Sequence, residues 1–222
     1  MIETLLLAGA LATSMQDYED NLPPDPEFVN PGANELVWTP SPNYNERQDI
    51  MDVRTIVLHH TANATLSGVV KWFEMPESQV SSHFTIGRDG SIAQHVSTFK
   101  RAWHAGVSLD HLGREGLNDF SVGIEIVNVG DGSMEYPPEQ VEAVRHLVAV
   151  LLNRFPEIDS IVSHEYIAEP QGRKPDPINY PWDSLREFGV PLVYGLKDGT
   201  SASDREFWPK EEDRVPGQEP KE

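Results

Sequence analysis

The chain has 222 residues, which suits one globular domain with arms, and its formal net charge of −19 argues against a nucleic-acid partner. It holds no cysteine, so disulfides, thiolate metal sites and cysteine nucleophiles are excluded. Nor does the charge favour an anionic membrane or wall, so recognition must come from a specific groove.

Residues 1–16 include the apolar run Leu5–Ala12, which is too short to span a bilayer. Ala10-Leu11-Ala12 has the small-x-small form of a signal-peptidase site, but Glu3 and the lack of Lys or Arg before it do not suit an export signal. A cleaved signal and a simple N-terminal helix both stay open. Residues 17–45 are acidic and carry Pro23, Pro24, Pro26, Pro31, Pro40 and Pro42, which rule out a regular helix or a central strand. This stretch reads as an extended arm lying on the domain, or a linker, kept out of the sheet by its prolines and pinned by Trp38.

The compact domain is expected to begin near Asp49. Thr55–His60 reads as a short buried strand, and Leu66–Glu74 as a helix with Val69, Val70, Trp72 and Phe73 as its apolar positions, ended by Pro76. Ser82–Arg88 and Ser91–Val96 read as a hairpin turned at Asp89-Gly90. Ser121–Asn128 alternates like a central strand. Pro138–Phe155 is the clearest helix, with Val141, Val144, Leu147, Val148, Leu151 and Leu152 on one face and Pro138 at its start. Asp159–Ser163 is the next strand, followed by loop to a short segment at Trp182–Phe188. From Gly195 the chain is polar and without period. Alternating strands and helices with one inserted hairpin predict an α/β fold, a central mixed β-sheet flanked by helices. The division is 1–48 as apolar segment and arm, 49–194 as a single domain, and 195–222 as tail.

Candidate chemistry gathers at strand ends. Ile56-Val57-Leu58 runs into His59, His60 and Thr61, and Ile161-Val162-Ser163 runs into His164. Parallel neighbouring strands bring such ends together, and a proline-rich loop can return Asp176 to the same spot. Two imidazoles and one carboxylate suit zinc (Zn2+) with a fourth position for water. Glu125 lies mid-strand in an apolar run. It is either a surface residue of an edge strand or a buried carboxylate raised toward the range of a general base. Lys174, two residues before Asp176 in an extended loop, points the same way. It is either an ordinary loop lysine or an oxyanion stabiliser.

Six stretches in order, Ile56–Ala62, Ser81–Gly90, Ala102–Gly106, Asn118–Glu125, His164 and Lys174–Asp176, resemble the zinc-dependent N-acetylmuramoyl-L-alanine amidases of the type-2 family, which includes phage amidases and peptidoglycan recognition proteins. The resemblance spans residues 55 to about 187. It implies His59, His164 and Asp176 as zinc ligands, Glu125 as the acid that activates water, and Lys174 as transition-state stabiliser. It places Trp103, His104, His83 and His60 along the substrate cleft, His60 as a neighbour of the metal rather than a ligand. Some members carry a catalytic tyrosine where this chain has Ser82, which favours the Glu125 branch. The implied partner is peptidoglycan or a muropeptide, bound by a monomer without a membrane span in the cell envelope, in a secreted protein or in a phage lysin. The alternative is a module that binds muropeptides without cutting them.

Overall fold

The computed structural model describes residues 36–49 and 51–196, and the backbone of 206–207. In chain order the elements are β1 (Val37–Trp38), β2 (Tyr44–Glu46), β3 (Thr55–His60), α1 (Leu66–Glu74), β4 (Phe84–Ile86), β5 (Ile92–Gln94), β6 (Lys100–Ala102), β7 (Ser121–Ile126), α2 (Pro138–Arg154), β8 (Ser160–Ser163), the one-turn α3 (His164–Ile167), β9 (Leu192–Val193) and β10 (Glu206–Phe207). The main sheet runs β1-β5-β4-β7-β3-β8-β9-β10, and β2 pairs with β6 apart from it. Strands β4, β7, β3, β8 and β9 are parallel to their neighbours in that run, while β5 runs antiparallel to β4 and β10 to β9. This is the expected α/β architecture with a mixed sheet. None of the described helices is long and apolar enough to cross a membrane.

β3 sits between two parallel partners, which explains its nearly continuous apolar sequence. The strand period of two divides its side chains between faces. Ile56 and Leu58 join Ile124, Ile126 and Ile161 in the main core, where Val144, Leu147, Val148 and Leu151 of α2 cover them. Val57 faces the other way, with Val162, Leu117, Tyr166 and Ile167 in a smaller cluster. On α2 the buried stripe is Ala143, Val144, Leu147, Val148 and Leu151, with Val141 and Leu152 at its margins. Gln140, also buried, gives its amide to the carbonyls of Ile86 and Val127 at 3.1 and 3.0 Å and so ties the helix to the ends of β4 and β7. On α1, Val69 and Phe73 turn inward, Trp72 stays half exposed, and Thr65 caps the first turn by accepting from the Gly68 amide.

The end of the arm behaves differently from its expectation. Val37 and Trp38 pair in parallel with Ala93 and Gln94 at the sheet edge, and Tyr44–Glu46 pair with β6. Proline does not prevent this, because Thr39 and Ser41 donate to the carbonyls of Gln94 and His95 at 2.9 Å while Pro40 and Pro42 fall at the alternate positions that owe no ladder bond. The remainder of the arm lies outside the described residues.

Arg47 then enters the domain. It is buried, and its guanidinium donates to the carbonyls of Asp119, Lys100 and Ser121 at 2.6, 2.9 and 2.9 Å. Burial pushes its pKa down to about 10, which leaves it charged near neutrality. Arg47→Met keeps the apolar stem but leaves these carbonyls without their donor. We expect a loss of about 2–4 kcal/mol in denaturant melts; a shift under ~0.5 kcal/mol would show that water replaces the guanidinium at no cost.

Candidate metal centre

The parallel register of β3 and β8 sets Leu58 opposite Ser163. The next residue of each strand is a histidine, so His59 and His164 emerge side by side. Ser163 ends β8 and caps α3 by accepting from the Tyr166 amide at 3.0 Å, which turns the chain at His164. Asp176 returns from the loop, anchored where the Glu165 amide donates to its backbone carbonyl at 2.8 Å. The two Nδ1 atoms lie 2.9 Å apart, and Asp176 Oδ2 lies 3.2 Å from that of His59 and 3.0 Å from that of His164. All three residues are buried.

The outer ring nitrogens are already engaged. His164 Nε2 faces the Ala105 carbonyl at 3.3 Å, so it carries the proton and Nδ1 keeps a lone pair. His59 Nε2 meets His104 Nδ1 at 3.0 Å. Burial, then the neighbouring His164, pushes the His59 pKa down to about 4, so the ring is neutral near pH 7. Two imidazole lone pairs and a carboxylate oxygen that converge in a buried site repel one another unless a cation joins them. These three residues can hold a metal, and their nitrogen and oxygen donors suit zinc.

Glu125 stands directly opposite His59 across the β3–β7 ladder, on the same face. Its Oε2 is shut off from solvent and has no hydrogen-bond partner among the described residues. Burial, reinforced by the charge of Asp176, raises its pKa well above the ordinary value, and Lys174 opposes this. Lys174 is half-buried, two residues before Asp176, and its charge also lowers the pKa of His59 and His60. Phasing turns His60 to the opposite face from His59. There its Nδ1 accepts the Ile178 amide at 3.2 Å and its ring lies against Gly130, where a Cβ would come within 2.2 Å of Nε2.

Three residues expected along the cleft are held by hydrogen bonds within the domain. His83 is fully buried, with Nδ1 accepting from the Gly123 amide at 3.0 Å and Nε2 beside the Lys100 carbonyl at 3.1 Å; it braces strands and does not reach an open cleft. His104 is buried behind His59 instead of lining an open surface. Trp103 is half-buried, its indole N–H given to Asn45 Oδ1 at 2.7 Å, so β2 helps to fix it. Sequence reasoning passed over Asn118, whose Oδ1 accepts the amides of His104 and Ala105 at 3.1 and 2.8 Å, and over Ser121 and Gly123 beneath the His104 ring.

Comparison with known proteins supplies the family. Residues 49–179 match the Amidase_2 family model, described as N-acetylmuramoyl-L-alanine amidase. The chain is 32% identical over 170 residues to the 1,6-anhydro-N-acetylmuramyl-L-alanine amidase AmpD of Citrobacter freundii, covering 68% of this chain and 89% of that one. The crystal structure of a selenomethionine AmpD derivative superposes with a TM-score of 0.62 at 31% identity, covering 73% of this chain and 96% of the other. The amidase AmiD of E. coli, solved with anhydro-N-acetylmuramic acid-L-Ala-D-gamma-Glu-L-Lys, superposes with a TM-score of 0.54 at 30% identity, covering 63% of this chain and 58% of AmiD. With its mixed sheet, its buried His-His-Asp cluster and a family match over more than half its length, the chain belongs to the N-acetylmuramoyl-L-alanine amidase family.

Proposed function

We propose that this amidase is a zinc hydrolase that cuts the bond between the lactyl group of N-acetylmuramic acid and L-alanine, with 1,6-anhydromuropeptides among its substrates. The observation that carries the reading is Glu125, a half-buried residue in register with His59 of the metal-competent cluster, its Oε2 shut off from solvent without a hydrogen-bond partner. The likeness to AmpD and to AmiD supports the anhydro substrate class. His59, His164 and Asp176 would hold the zinc. Bound there, the metal supplies Lewis-acid chemistry, acidifying water and polarising the amide carbonyl.

The chain's own residues do the rest. Glu125 takes the proton of the attacking water and delivers it to the departing L-alanine nitrogen, for which its raised pKa suits it. Lys174 meets the negative charge that develops on the carbonyl oxygen. His60 and Trp103 are the candidates for substrate contact. The reading is tested by mass spectrometry of products from purified peptidoglycan and from a defined anhydromuropeptide. Free stem peptide beginning at L-alanine is the expected product, lost on chelation and regained with zinc. Binding without cleavage would establish the non-catalytic module instead.

Lys174→Ala isolates the oxyanion role. It is expected to lower kcat and kcat/KM together by up to about 10²–10³-fold while zinc stays bound, since charge on the carbonyl oxygen exists only in the transition state. Lys174→Arg keeps the charge but replaces a compact ammonium with a planar fork, so it should rescue only in part. A normal kcat in zinc-loaded Lys174→Ala would remove this residue from the mechanism.

A further inference from the structure

We propose that His104, seated on Gly123 and oriented by Ser121, is a positioning residue that fixes the tautomer of His59 and so aims its Nδ1 lone pair at the metal. The proposal rests on the zinc reading above. Ser121 has a single O–H, and it goes to the Leu117 carbonyl at 2.5 Å. Its oxygen must therefore accept from His104 Nε2, which lies 3.2 Å away. A neutral His104 with its proton on Nε2 has only a lone pair on Nδ1. That lone pair faces His59 Nε2 at 3.0 Å, so His59 must carry its proton on Nε2. Its Nδ1 is then proton-free where it meets His164 and Asp176. The opposite tautomer of His59 would set lone pair against lone pair in a buried site.

The ring of His104 is held by shape as well as by hydrogen bonds. It crosses His59 edge-on, with ring centroids 5.2 Å apart. Below it lies Gly123, where an added Cβ would sit 2.6 Å from Cγ and 2.7 Å from Nδ1 of His104. Gly123 is not among the residues with positive φ, so the glycine answers to the space taken by the imidazole and by Ser82 Oγ, 2.8 Å from the same added Cβ, and not to backbone conformation. Ser121, Gly123 and Glu125 alternate along β7 on one face. One strand edge thus supplies the orienting hydroxyl, the seat for the orienting ring, and the carboxylate opposite the ligand.

The test measures zinc affinity by chelator competition on the full chain, and histidine tautomers by ¹⁵N NMR on the zinc-loaded protein. Wild-type His104 should be protonated at Nε2 alone. His104→Ala should weaken zinc binding by about 10–100-fold, the range for loss of a partner behind a metal ligand. His104→Gln, which offers one acceptor and one donor side by side, should recover most of it. Gly123→Ala alters no side-chain hydrogen-bonding group and should weaken binding by displacing the ring. Should His104→Ala fail to fold, the wild-type tautomer and Gly123→Ala still decide. Protonation of His104 at Nδ1, or wild-type zinc affinity in folded His104→Ala, overturns the proposal. Failure of the zinc reading itself looks different, because the wild-type chain would then bind no zinc.

Discussion

His164→Ala is expected to fold, to lose its zinc and to show no measurable hydrolysis. The cluster has three protein donors, and the variant leaves one imidazole and one carboxylate. Loss of a direct ligand should exceed the about 10–100-fold that loss of an outer partner costs. The fold should survive, because the main core between sheet and α2 does not include His164. Removing the ring also relieves a crowded, buried group of polar atoms, so part of the cavity cost is offset. Asp176→Asn is the companion: it keeps the shape, removes the charge and should weaken zinc in the same direction. Metal analysis after dialysis against a weak chelator reads both. Full zinc in folded His164→Ala would sink the ligand assignment.

What was legible in the sequence followed from periodicity. Thr55–His60 could be bounded to the residue because three apolar residues end in two histidines, and α2 to within one residue of its end because its apolar positions repeat at helical spacing. The convergence of His59 and His164 was legible because both histidines close apolar strands, and a parallel register brings such ends together. The hairpin was found at its Asp89-Gly90 turn, but its paired strands are only Phe84–Ile86 and Ile92–Gln94, since local alternation does not say where a ladder stops. Histidines that precede or follow short strands were harder. His83 and His104 look like cleft residues in sequence, and their burial depends on Arg47 and Asn118, which come from other parts of the chain. The edge pairing of Val37 and Trp38 is masked by proline content and permitted by proline phase: Pro40 and Pro42 alternate with the donors Thr39 and Ser41. One usable signal was overlooked. The alternation that exposed Glu125 also puts Ser121 and Gly123 on its face, and a glycine two residues before a buried carboxylate marks a close approach by something large.

Glu125→Gln is expected to bind zinc, to fold at least as well as the wild type, and to lose about 10²–10⁴-fold in kcat. Gln preserves the volume and hydrogen-bonding reach of the side chain but cannot take a proton from water. The stability sign follows from the raised pKa of Glu125, whose largest cause is burial. A carboxyl with a folded pKa above its unfolded one is favoured in the fold below the unfolded value, and that advantage is lost as pH rises through the folded value. At pH above that folded value the wild type bears a desolvated, unpaired charge that Gln does not, so there melts of the variant should come at equal or higher temperature. Bound zinc attracts that charge, and the gap between the two proteins should widen after chelation. The acid side of the pH–rate profile gives an independent check. Activity of the wild type should fall as pH drops through the raised Glu125 pKa, because the base becomes protonated, and the residual activity of the variant should lack that limb. Wild-type turnover in zinc-loaded Glu125→Gln, with the acid limb unchanged, would place the proton acceptor elsewhere in the site and leave Glu125 as a strained carboxylate opposite His59 without a catalytic task.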